Sequence, residues 1–197
     1  MKSLYYFIVK PLNERYDNVR RVANTDLIIN SGIEDHRFIS KKAVVVSTPA
    51  AYDTEINVGD ELYIHHNIFR RWYDQKGRER NSSTYFKDDL YFASPEQIYM
   101  YNLKTHLDYC FVKPLKNQSF LENRKEQPNV GIVKYSNKSL EALGITPETL
   151  ITFTPNSEFE FIIEGERIYC MKSNDIALTH EYQGNEEENN PSWAKSS

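Results

Sequence analysis

Short apolar runs separated by polar stretches dominate this chain, and a helical stripe is almost absent. The runs around Tyr6-Phe7-Ile8-Val9, Ala43-Val44, Leu62-Tyr63-Ile64, Leu90-Tyr91-Phe92, Tyr109-Cys110-Phe111-Val112, Ile132-Val133 and Ile168-Tyr169-Cys170 are rich in β-branched and aromatic residues. Turn formers end most of them, so each reads as a strand. The one helical signal is Asn137 to Leu143, ending at Gly144, enough for about two turns. The pattern predicts an all-β protein.

The runs recur in order. Tyr6 to Leu12 returns as Tyr109 to Leu115, an offset of 103. The block from Lys42-Ala43-Val44 through Ile56 and Gly59-Asp60 to Ile64 matches Gly131-Ile132-Val133 through Ile145 and Glu148-Thr149 to Phe153, an offset of 89. Leu90-Tyr91-Phe92 with Ile98 matches Ile168-Tyr169-Cys170 with Ile176, an offset of 78. The second copy therefore lacks 14 residues between the first two anchors and 11 more between the next two. Insertions confined to the connections are what a duplicated strand framework with variable loops produces. The expected organisation is a first barrel over 1–104, a trimmed second barrel over 105–182, and a disordered acidic tail over 183–197 in which Trp193 is solvent-exposed.

Composition adds to this picture. Fourteen Tyr and ten Phe favour pleated sheet. A net charge of −4 without a dominant basic run argues against a general nucleic-acid binder. Neither a signal-peptide pattern nor a bilayer-length apolar run is present, which places the expected protein in the cytoplasm with no membrane partner. Cys110 and Cys170 have no metal-type spacing and read as small core residues.

An opening strand ending in Val9-Lys10-Pro11-Leu12, a long polar loop, and Val58-Gly59-Asp60-Glu61-Leu62-Tyr63-Ile64 together resemble the GroES-like co-chaperonins. The resemblance implies two tandem GroES-like small β-barrels. It implies a homo-oligomeric ring with Phe7 to Lys10 and Tyr99 to Leu103 at the subunit interface. It also implies a mobile loop that docks an apolar triplet on a chaperonin ring; Leu27, Ile28 and Ile29, within Asn13 to Ser40, would be that triplet. Read from the residues alone, the same triplet is another barrel strand before it is an anchor, since a short apolar run is ambiguous by pattern. The second copy has only Phe120-Leu121 in the corresponding place. Thr48 to Glu55 leaves no room for a roof hairpin, as in short-roofed members encoded by tailed phages, for which the location would be the host cytoplasm.

The segment from His65 to Arg80 interleaves aromatic residues with arginine. Phe69, Arg70, Arg71, Trp72 and Tyr73 have the composition of an interface hot spot; the alternatives are packing on their own barrel or stacking with single-stranded nucleic acid. His65 and His66, placed on a strand, would face opposite sides, so no metal site is expected. Without a phosphate loop, nucleophile elbow or zinc-ligand cluster, neither catalytic residues nor a cofactor is expected. Two functions follow: a co-chaperonin that caps a chaperonin ring, or a structural virion assembly protein that uses the barrels to oligomerise.

Overall fold

A computed structural model of the chain describes residues 3–17, 19–22, 25–28, 32, 35–117, 125–181 and 186–196. The chain is all-β and divides into two compact units, Met1–Asn102 and Leu103–Ser197.

Unit 1 contains β1 (Phe7–Pro11), β2 (Val19–Val22), β3 (Thr25–Ile28), β4 (Lys42–Ser47), β5 (Glu61–Ile64), β6 (Arg71–Tyr73), β7 (Glu79–Asn81), β8 (Tyr85–Lys87), β9 (Leu90–Ala93) and β10 (Ile98–Tyr101). Its main sheet runs β8-β9-β1-β4-β5-β10, all antiparallel, while β2-β3 and β6-β7 form two separate hairpins. Unit 2 contains β11 (Lys104–Thr105), β12 (Tyr109–Lys116), β13 (Glu126–Tyr135), a one-turn helix α1 (Lys138–Glu141), β14 (Leu150–Phe153), β15 (Phe159–Ile163), β16 (Glu166–Lys172) and β17 (Ile176–His180). Its sheet runs β15-β16-β12-β13-β14-β17. The two orders are the same arrangement of corresponding strands.

Register makes the correspondence residue by residue. Phe7 faces Ala93 and Val9 faces Tyr91 in unit 1; Cys110 faces Met171 and Val112 faces Tyr169 in unit 2. Both units carry a bulge at the same step of the first strand, Ile8/Val9 and Phe111/Val112. Pro11 faces Ala43 whereas Pro114 faces Gly131. The β4 and β13 strands are thus related by 88 residues, one fewer than the apolar runs suggest. Pairing with the first strand decides this, since a one-residue slip would turn every side chain to the wrong face.

The first strands are buried on both sides, as central strands must be. Phe7 and Val9 join a cluster with Ala43, Leu62, Ile64, Phe69 and Tyr91, and Cys110 and Val112 one with Val133, Ile151, Phe153 and Met171. Both cysteines are free and buried; burial raises the Cys110 thiol to about 12 and pushes Cys170 up as well. Gly59 sits at φ +93° in the turn before β5, where a left-handed backbone favours glycine. Glu148, its counterpart before β14, holds φ +72° with a side chain attached.

Several expectations need correction. Among the described residues neither main sheet closes into a barrel: no ladder joins β8 to β10, or β15 to β17, and β8 has only three residues to offer. In β1, Ile8 and Val9 are paired on both sides, by β4 and β9, so the middle of the Phe7 to Lys10 segment has no free edge to give a neighbouring subunit. The helix is half its expected length: Asn137 caps it by accepting the Leu140 N–H at 3.0 Å, and Gly144 follows at φ +80°. The described part of the tail, 186–196, is ordered against unit 2. Lys116 N–H donates to Glu187 O at 2.7 Å, Asn189 N–H donates to Pro114 O at 2.8 Å, and Lys113 pairs with Glu188 at 2.7 Å. Acidic composition suggested disorder, but the end of β12 extends beyond its ladder with β16 and offers the tail backbone partners.

Candidate functional site

Two hairpins leave the main sheet of unit 1, and they hold the residues that the sequence singles out. The first is β2-β3, with Arg20 opposite Leu27 and Val19 opposite Ile28. Leu27 and Ile28 therefore lie on a strand, in a two-stranded sheet of its own rather than in the main sheet. Ile29 falls outside the described residues, as do Phe120 and Leu121 of unit 2.

The second hairpin is β6-β7, paired from Arg71–Asn81 through Tyr73–Glu79. Its turn is organised by Asp74. Asp74 Oδ1 accepts the N–H groups of Lys76 and Arg78, both at 2.9 Å, and Oδ2 pairs with Arg78 and Arg80 at 3.1 Å. These hydrogen bonds, led by the Arg78 N–H, hold its carboxyl below the usual range. Arg71 pairs with Glu79 at 3.0 Å and lies 4.5 Å over the Tyr16 ring. Three of the five basic side chains from Arg70 to Arg80 are thus paired within the hairpin.

Trp72 and Tyr73 are 43% and 51% exposed, so they are available to a partner. Phe69 is not: it is fully buried and meets Tyr91 edge-on, which removes it from the expected interface set. An aromatic ring entering the core at the start of a long connection anchors the loop, and that role competed with surface contact for the same residue type.

Arg15 was not distinguishable in the sequence from other polar loop residues. Its guanidinium donates to Phe69 O at 2.5 Å, to Arg70 O at 3.0 Å and to Asn81 Oδ1 at 2.7 Å, so it ties the base of the hairpin together. It also lies 5.2 Å over the Tyr91 ring, and burial lowers its pKa.

His65 and His66 do not alternate along a strand. A short 3-10 turn starts at His66, and the two rings stack 4.5 Å apart with His36 at 5.5 Å from His66. Burial, and then the neighbouring His65 and His36, lowers His66 to about 4. Among the described residues no group of His, Cys, Asp or Glu is arranged to hold a metal ion, and no helix is long and apolar enough to cross a membrane.

No protein-family model matches the chain, and no curated protein matches its sequence.

Proposed function

We propose that this chain is a GroES-like co-chaperonin in tandem form, which caps a chaperonin ring and docks through Leu27, Ile28 and Ile29. The observation that carries the reading is the β2-β3 hairpin: it is inserted after the first strand of unit 1, and it stays outside the main sheet. A hairpin without a sheet to join is marginal by itself and gains order from a partner. Two units with one strand order and matching registers support reading both as copies of one module. The absence of any strand between β4 and β5 supports the short-roofed form, and with it a phage origin. A homo-oligomeric ring belongs to the same reading.

The test is gel filtration with light scattering, with and without a chaperonin and nucleotide. Co-elution that is lost on Ile28→Asp supports capping through this hairpin. A stable oligomer that never co-elutes overturns it.

The exposure of Trp72 and Tyr73 on a hairpin that projects from the sheet favours a second reading, a virion assembly protein whose partner sits on β6-β7. Under that reading Trp72→Ala, and not Ile28→Asp, breaks the assembly.

A further inference from the structure

The trimming of unit 2 leaves a cleft. In unit 1 the connection from β5 to β8 delivers Ile68 and Phe69 into the core, where Phe69 packs on Tyr91 with centroids 4.8 Å apart. In unit 2 the connection between β14 and β15 is cut to Thr154 to Glu158, too short to send a ring inward. Tyr169, the register counterpart of Tyr91, lies beside a cleft of about 320 Å3 that Phe153 also lines.

The chemistry of the walls is asymmetric. Glu158 Oε2 is buried and makes no hydrogen bond among the described residues. A buried carboxylate oxygen without a donor is costly, so a matching cation has something to gain there. Glu126, which also lines the cleft, is already occupied: it accepts from Arg167 at 2.6 Å, from Tyr169 Oη at 2.7 Å and from Asn189 at 3.1 Å. Burial alone would raise the Glu126 pKa, but these hydrogen bonds outweigh it, and its charge is already matched by Arg167, which leaves Glu158 as the carboxylate oxygen without a donor among the described residues. Phe153 and Tyr169 line the cleft with ring edges suited to methylenes, while the Arg167 guanidinium already lies 4.9 Å from the Tyr169 ring centre. Residues 103–197 carry 14 acidic against 10 basic side chains, a field that draws cations toward the unit. Lys125 lines the cleft but is exposed to solvent.

We propose that this cleft binds a primary alkylammonium group, the end of a lysine side chain or of a linear polyamine, with the ammonium on Glu158 and the methylene chain along Phe153 and Tyr169. The volume of about 320 Å3 has room for an alkyl chain, and Glu158 Oε2 is the acceptor left without a donor among the described residues. The site lies in unit 2 and is independent of the chaperonin reading.

Titration calorimetry of the full chain with spermidine, and separately with an acetyl-lysine-methylamide, tests it. Saturable one-to-one binding of either probe is expected. Binding of spermidine alone points to a free polyamine, and binding of the lysine amide to a partner's side chain. Glu158→Gln, close in shape, is expected to weaken binding about tenfold, while Glu164→Gln, on the turn at the other end of β15, leaves it unchanged. Ring-proton shifts of Phe153 and Tyr169 on titration locate the ligand. Absence of saturable binding, equal weakening by both variants, or equal binding of the side-chain-acetylated lysine amide would overturn the proposal.

Discussion

Phe69 meets Tyr91 at 78° between ring planes, fully buried at the point where the polypeptide leaves the main sheet to build the β6-β7 hairpin. One aromatic contact thus separates a core residue from the exposed Trp72 only three positions later. Phe69→Ala should destabilise unit 1 by about 3–5 kcal/mol, whereas Trp72→Ala, which loses one hydrogen bond to Asn81 O and some packing on the hairpin, should cost about 1 kcal/mol. Denaturant unfolding of the two variants measures the difference.

Arg15 supplies the other half of that anchor, since Phe69 O and Arg70 O accept its donors. Arg15→Ala is expected to cost about 1–3 kcal/mol and to speed amide exchange at Ser82, whose N–H shares the Arg70 carbonyl. Arg15→Lys should rescue little, because a single ammonium does not reproduce a planar fork spanning three acceptors.

The His66 pKa of about 4 lies below its ordinary 6.5, so on acidification the unfolded chain takes up the proton first. Its contribution to stability is therefore complete above about pH 6.5 and is lost progressively as pH falls toward 4. His66→Gln should flatten that part of the profile. The comparison of variant with wild type separates it from carboxylates such as Asp74, whose depressed pKa also costs stability in acid.

Register in unit 2 is testable at Gly131. A Cβ there would come within 2.4 Å of Val112 Cγ1 and 2.6 Å of Lys113 O, yet its counterpart in unit 1 is Ala43. Gly131→Ala should cost about 1–3 kcal/mol by overpacking. Ala43→Gly should cost only about 0.5–1 kcal/mol through backbone entropy. Thermal melts of both variants decide whether the 88-residue correspondence holds.

Truncation before Glu186 removes the acceptor for the Lys116 N–H and the donor to Pro114 O. Faster exchange at the Lys116 amide and a loss of about 1–3 kcal/mol, confined to unit 2, are expected. Unchanged exchange at Lys116 would mean that the tail contributes nothing to β12.

The strands of the seven apolar runs, their order of recurrence and the burial of Cys110 and Cys170 were determined by sequence alone, whereas the β6-β7 hairpin, β8 and β15 were not. Each rests on a local signal: a short β-branched or aromatic run, a turn residue such as Gly59, or a small apolar side chain within a strand. The insertion sites were legible for the same reason, because loops change length where strands do not. Only the tertiary structure decided the rest. The 88-residue register of β13 depends on backbone pairing with β12, to which apolar spacing is blind by one residue. Phe69 and Trp72 look alike in sequence and part company because only one of them reaches Tyr91. The open edges of the sheets, the docking of Glu187 to Asn189 along β12, and the cleft beside Glu158 are all set by which strands remain unpaired and by what a shortened loop fails to fill. Those quantities belong to long-range packing, and no window of neighbouring residues contains them.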